Sequence, residues 1–227
     1  MSGKTAAVLG SSGMIGTNLV GLLQNDERFA TIKLLVRSPR QSTHPKIEIK
    51  LVNFEDIESV KLALEGTDIL FSCIGTTQKN VSGNKELYRK IDYDIPLRAA
   101  RLAKEVGCRV MVVVSSVGAD PASGNFYLRL KGELEQSLEQ VGLAAVHLMQ
   151  PSMLLGQRAE NRPAERLLQS SMKIISPLFF GGMKRFRAID GKTVAQAMVN
   201  VSLQQEAGLF RYTYPAIKLL GEGSTVK

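Results

Sequence analysis

Thr5-Ala6-Ala7-Val8-Leu9-Gly10-Ser11-Ser12-Gly13-Met14-Ile15-Gly16 is the stretch that decides the fold. An apolar run with a β-branched residue passes directly into a glycine-spaced turn. Beyond it, Leu19, Val20, Leu22 and Leu23 recur at helical spacing. The pattern predicts a strand, a tight turn and a helix. Gly10 lets the chain leave the strand sharply, Gly13 clears a place for a pyrophosphate against the backbone, and Gly16 lets helix and strand approach. Ser11, Ser12, Met14 and Ile15 complete the loop. The free N–H groups of the first helical turn, with the helix dipole, would face phosphate. Such a strand–turn–helix context makes Gly10 to Gly16 a candidate dinucleotide loop.

Working outward, the same alternation repeats. Thr31 to Val36 reads as a second strand and Ile47 to Val52 as a third. A helix from Asp56 to Leu64 begins on an acidic cap. Asp68 to Ile74 is nearly all apolar, as a strand covered on both faces should be. Asn84 to Val106 carries a helical pattern interrupted or restarted around Pro96. Arg109 to Val114 is a fifth strand, Phe126 to Val141 a helix, and Ala144 to Met149 a sixth strand ending at Pro151. Strand–helix repetition implies right-handed crossovers. The expected fold is α/β, a Rossmann-type doubly wound parallel sheet with helices on both faces. One domain over residues 1–227 is expected, with about 152–227 as a small C-terminal elaboration on the substrate side.

Composition narrows the function classes. At 44% hydrophobic and 22% charged residues, the chain matches an ordinary globular protein. No run approaches the ~18 to 20 apolar residues of a membrane helix. The first residues lack a basic-then-apolar layout, so a cytoplasmic protein is expected. Cys73 and Cys108 lie in apolar runs and read as buried thiols; two such cysteines support neither a metal site nor a disulfide framework. The net charge of +8 is uneven: 18 Lys and Arg oppose 16 Asp and Glu up to Gln150, but 11 oppose 5 beyond it. The excess between Arg158 and Arg187 is either a solvated face or a site for an anionic substrate or an acidic protein partner. Nucleic acid is not expected, because no recognition motif accompanies the charge.

In doubly wound sheets, ligands bind beyond the carboxyl ends of the strands. The second strand ends at Arg37, with Arg40 close behind and no acid between Thr31 and Gln41. A 2′-phosphate is matched by a guanidinium, whereas a free 2′-hydroxyl usually meets a carboxylate, so NADP(H) is expected in preference to NAD(H). The alternative is two arginines on an exposed loop. The third strand ends at Asn53-Phe54, where an amide can meet the adenine edge or simply form a turn. The fourth ends at Ile74-Gly75-Thr76, where glycine permits close backbone approach or merely terminates the strand. The fifth ends at Ser115-Ser116. Tyr127 and Lys131 follow, four apart on a predicted helix and so on one face. A phenol with a reference pKa near 10 is a poor acid–base group at neutral pH unless a neighbouring ammonium stabilises its phenolate. A serine at the strand end can hold the substrate oxygen. The competing reading is a half-buried tyrosine beside a surface lysine.

Taken together, Leu9 to Gly13, Cys73 to Thr77, Ser115-Ser116-Val117-Gly118-Ala119-Asp120, Phe126-Tyr127-Leu128-Arg129-Leu130-Lys131-Gly132-Glu133 and Pro151 to Leu155 resemble the short-chain dehydrogenase/reductase superfamily. The resemblance is to its atypical branch, and within that to the Tat-interacting-protein, oxidoreductase-like group. The match extends to about Pro163 and then thins. The resemblance implies that Ser116 orients a carbonyl, with Ser115 as the fallback. It implies that Tyr127 is the general acid in reduction and that Lys131 serves both the phenol and the nicotinamide ribose. Pro151 to Leu154 would flank the nicotinamide. Two departures are Asp92, where many relatives have an asparagine that assists a proton-relay water, and Asn53, where an aspartate is common. The expected activity is reduction of a small carbonyl compound. The alternative is a catalytically weak NADPH-sensing regulator that binds a protein partner.

In the C-terminal third, Leu167, Leu168 and Met172 read as helical. Ile174 to Arg185 reads as a glycine-hinged lid, as core packing, or as a shallow membrane contact at Leu178 to Phe180. Ala188 to Ala195 reads as a strand entering a helix capped by Asp190. His44 and His147 carry no partner pattern.

Overall fold

In the computed structural model, which describes residues 3–155 and 181–223, β1 (Lys4–Leu9) is an interior strand of a seven-stranded sheet. Its side chains alternate between two cores, Ala6 and Val8 entering one while Ala7 and Leu9 enter the other. Period-two alternation with both faces apolar is the signature of a strand covered on both sides.

The neighbouring strands are β2 (Phe29–Val36), β3 (Ile47–Leu51), β4 (Ile69–Ser72), β5 (Val110–Val114) and β6 (Ala145–Met149). They run in the order β3-β2-β1-β4-β5-β6, closed at the far edge by a further strand, Gly208–Tyr212. Every pairing is parallel. This is the expected doubly wound arrangement, and strand order reverses between β1 and β4, where such folds open a crevice.

Helices α1 (Met14–Gln24), α2 (Ile57–Leu64), α3 (Lys85–Arg89), α4 (Ile95–Glu105) and α5 (Phe126–Val141) follow the strands. Past β6 come β7 (Leu154–Leu155), a 3-10 turn (Gly181–Phe186), β8 (Ile189–Asp190) and α6 (Gly191–Ser202). The edge strand Gly208–Tyr212 is β9, and α7 (Tyr214–Gly221) follows it. Helices α1, α6 and α7 cover one face, and α2, α4 and α5 cover the other.

Asp56 caps α2 through the Glu58 N–H, and Asp190 caps α6 through the Lys192 N–H, as the sequence predicts. Two elements differ from expectation. The Asn84–Val106 pattern is neither one regular helix nor two: α3 and α4 are joined by a π-turn at Lys90–Asp94. It ends two residues before Pro96, whose ring leaves no N–H to bond the carbonyl four residues back. The seventh strand and α7 had no counterpart in the sequence reading. The predicted helix at Leu167 to Met172, the basic residues Arg158, Arg162 and Arg166, and most of the proposed lid lie outside the described residues.

Candidate active site

The loop after β1 is shaped by three glycines with different constraints. Gly10 has φ +76°, and a Cβ there would lie 2.7 Å from the Cys73 backbone. At Gly16 a Cβ would meet the Gly10 carbonyl oxygen at 2.1 Å. The protein itself therefore requires both. Gly13 is another matter: its φ is ordinary, and a Cβ would find only van der Waals contact, with Gly10 O at 3.5 Å. Nothing in the described chain demands glycine there, and the bare face is what a close-approaching ligand needs. The α1 N-terminus has no side-chain cap and no acid in its first turn, whereas α2, α3, α5 and α6 all carry side-chain caps. An open Gly13 face beside uncapped N–H groups fits a pyrophosphate. Within the loop, Ser11 is buried and Ser12 exposed; Ile15 enters the core, and Met14 packs toward Gly191.

The Leu9–Leu35 register carries Arg37 to the mouth of this loop on the adjacent strand. Arg37 and Arg40 are exposed and make no ion pair or hydrogen bond among the described residues. Asn53 is exposed, and its side-chain oxygen accepts the Glu55 N–H at 3.0 Å, the geometry of a turn residue. The Phe54 carbonyl accepts from Arg98.

At the end of β4, Ile74 and Thr76 are half-buried and Gly75 is exposed. Thr76 is held from both sides: its N–H donates to Asp92 Oδ2 at 2.8 Å, and its carbonyl accepts the Tyr88 hydroxyl at 3.1 Å. Asp92 is buried at 1% exposure because the π-turn aims it inward. Burial pushes its carboxyl above the usual range, against the pull of Lys131 and the Thr76 N–H.

Tyr127 and Lys131 sit on α5, whose Asn125 cap accepts from the Tyr127 and Leu128 N–H groups. The Lys131 Nζ is 6.0 Å from the Tyr127 ring centroid and 3.1 Å from Asp92 Oδ1, and the lysine is 3% exposed. The spacing thus places both residues on one face, and the lysine is buried. That Asp92 oxygen nonetheless has no hydrogen-bond partner among the described residues. The contact is a buried ion pair. The Tyr127 ring also meets Tyr88 edge-on at 6.4 Å.

Ser115 and Ser116 end β5, both buried. The Ser115 hydroxyl is committed to Glu135, whereas Ser116 donates only to the Val117 carbonyl at 3.3 Å. The Val117 N–H donates to the Pro151 carbonyl at 3.0 Å, which brings the end of β6 beside Ser116. Leu154 lies in β7.

Sequence reasoning missed several organising residues. Buried Glu135, one turn beyond Lys131, accepts from Ser115, from Gln150 at 2.9 Å and from Arg211 at 3.1 Å, joining α5 to β5, β6 and β9. A lone acid among the buried Leu130, Leu134 and Leu138 is the signal that would have found it. Gly132 is also required, since a Cβ there would sit 2.3 Å from the Asp120 backbone, where the loop after β5 crosses α5.

The family model described as NAD(P)H-binding matches residues 10–155, the span that holds all these loops. The chain belongs to the NAD(P)H-binding family. Protein HTATIP2 of Rattus norvegicus is 30% identical over 88% of this chain and 81% of its own length. Protein fmp52, mitochondrial, of Aspergillus niger is 30% identical over 87% of this chain and 86% of its own. Among solved structures, a UDP-N-acetylglucosamine 4-epimerase from Methanobrevibacter ruminantium M1 superposes with a TM-score of 0.71 at 18% identity, covering 98% of this chain and 81% of that one. At that identity it shows the fold alone. The resemblance to the short-chain dehydrogenase/reductase superfamily and its Tat-interacting-protein group is borne out. The expected cytoplasmic location is corrected: the fungal relatives of this NAD(P)H-binding chain are named as mitochondrial proteins. The basic-then-apolar layout on which the expectation rested is a mark of secretory signals and does not bear on a mitochondrial address. No helix among the described residues is long and apolar enough to cross a membrane, and no cluster of potential metal ligands occurs there.

Proposed function

We propose that the chain is an NADP(H)-dependent oxidoreductase that reduces a small carbonyl compound. The observation that supports it is the buried Lys131 ammonium beside the Tyr127 ring, tied through Asp92 to the loop after β4 at the carboxyl end of the sheet, the end that also carries the open Gly13 face. When bound, a reduced nicotinamide supplies the hydride that adds to the carbonyl carbon. The Tyr127 hydroxyl gives its proton to the carbonyl oxygen, and the Ser116 hydroxyl orients that oxygen. Lys131 stabilises the phenolate left behind and holds the nicotinamide ribose. Backbone N–H groups from Gly10 to Gly16 receive the pyrophosphate, and Arg37 pairs with the 2′-phosphate. Asn53 and Phe54 would hold the adenine, while Ile74 to Thr76, Pro151 and Leu154 would flank the nucleotide.

Lys184 and Arg185, exposed in the 3-10 turn, favour an anionic substrate. They join the site through Ser152, which donates to the Arg187 carbonyl. The relatives' names favour a mitochondrial setting for this activity. Calorimetric titration with NADPH and NADH, followed by a carbonyl panel read by loss of reduced cofactor, tests the reading. Saturable NADPH binding with turnover is expected; absence of saturable binding removes it. Binding without turnover across the panel would favour the NADPH-sensing alternative.

A further inference from the structure

Asp92 makes contact with two separate parts of the candidate site through one carboxylate. Oδ2 accepts the Thr76 N–H at 2.8 Å and so fixes the loop after β4. Oδ1 lies 3.1 Å from the Lys131 ammonium on α5, with side-chain exposures of 1% and 4% for the two partners. The bare Cα of Gly75 faces the same oxygen, at 3.8 Å from where a Cβ would stand. A π-turn at Lys90–Asp94 turns Asp92 inward, a departure that tends to mark functional segments. Rigidity alone does not call for this pair, since buried ion pairs are commonly replaced by apolar residues without loss of stability. What the carboxylate supplies is a fixed negative charge beside a lysine that would otherwise be a buried, unbalanced cation.

We propose that Asp92 is the positioning residue for Lys131, tying the loop after β4 to α5 so that the ammonium stands where a bound nucleotide meets it. This inference rests on the cofactor reading above. The titratable groups facing the pair are Tyr88, from α3 just before the π-turn, and Tyr127, from α5. Among the described residues, Lys131 is the cation paired with the carboxylate.

Asp92→Asn separates the two contacts, because the amide oxygen still accepts the Thr76 N–H while the charge is lost. NADPH affinity is expected to fall roughly tenfold in Asp92→Asn, the size of a lost charge-assisted contact. In a Lys131→Met background the same substitution should have no further effect, since Asp92 acts through the lysine. An unchanged affinity in the parent background, or an equal loss in both backgrounds, overturns the proposal. Lys131→Met alone strands a buried carboxylate and is expected to melt early, and Asp92→Asn on top of it should restore the melting temperature. Nuclear magnetic resonance of 15N-labelled lysine gives a readout that needs no cofactor. The parent should show one slowly exchanging ammonium resonance, absent in Lys131→Met and lost in Asp92→Asn. If the parent binds no NADPH, the proposed function fails and the positioning role is judged on that resonance alone: its loss in Asp92→Asn supports the role, and its persistence overturns it.

Discussion

The Ser115 hydroxyl donates to the buried Glu135 carboxylate, while the hydroxyl of adjacent Ser116 reaches only the next carbonyl along the chain. Two serines of identical chemistry are thereby given different work. Ser115→Ala removes one donor from a buried acid, at a cost of about 1.5 to 3 kcal/mol, and should lower the melting temperature by several degrees. Reduction should survive in it. Ser116→Ala should melt like the parent yet slow reduction by roughly a hundredfold, the usual loss for one donor to a reacting oxygen. Melting curves and NADPH oxidation on the two variants decide the assignment.

Gly13→Ala is sterically acceptable to the protein, with its added methyl carbon 3.5 Å from the nearest backbone oxygen. Stability should therefore stay near that of the parent while NADPH affinity falls at least about tenfold, as a methyl group intrudes on the pyrophosphate. Gly16→Ala, with a 2.1 Å clash, should instead fail to fold properly. Equal NADPH affinity in Gly13→Ala and the parent would remove the loop from the cofactor site.

Arg37→Ala tests cofactor choice. The guanidinium is exposed at the end of β2 and makes no competing contact among the described residues. Its loss should weaken NADPH about tenfold and leave NADH unchanged. Parallel titrations with the two cofactors are sufficient, and an unchanged preference would return Arg37 to the solvated loop.

Tyr127→Phe keeps the ring that packs against Tyr88 and sits near Lys131, and removes only the hydroxyl. Reduction should fall by about two to four orders of magnitude, the range for loss of a general acid, with NADPH affinity nearly unchanged. A variant as fast as the parent would end the catalytic assignment.

His147 gives the chain an acid-labile core. It is fully buried, stacked on Phe210 at 5.1 Å and bonded through Nδ1 to the Tyr212 hydroxyl, and burial lowers its pKa from 6.5 to about 4. The unfolded chain takes up this proton as pH falls through 6.5, whereas the folded chain resists until about 4. Stability from the neutral ring is thus fully present above pH 6.5 and lost across that window, on the order of 3 kcal/mol. His147→Phe should shrink the fall in unfolding free energy between pH 7 and pH 4.5, measured by urea denaturation.

Most strands beneath the site were legible because they are short apolar runs ending at a residue suited to a ligand, and edge strand β3 because Ile47, Ile49 and Leu51 alternate with polar residues. β9 was not, since Gly208–Tyr212 is a half-exposed edge strand with Arg211 inside it. The inward turn of Asp92 is not legible in the sequence, because a helical period cannot foresee a π-turn that rotates one carboxylate inward. The choice between Ser115 and Ser116 depended on Glu135, twenty residues away on another element. Local pattern locates loops; the partners that commit or release their side chains are tertiary facts. Asn53 illustrates the same limit, since its oxygen is engaged by Glu55 in a turn that the sequence left open.

The short ladder of β7 and β8 is a two-stranded sheet apart from the main one. Leu154 pairs with Ile189, and the Ile189 N–H donates to the Met153 carbonyl at 3.0 Å. The residue after Ile189 is Asp190, which caps α6, and the first residue of that helix, Gly191, lies against Met14 of the glycine loop. The ladder is therefore a mechanical linkage: a displacement of Leu154 would pass through Ile189 to the helix that abuts the glycine loop, so the two ends of the candidate site would respond as one body.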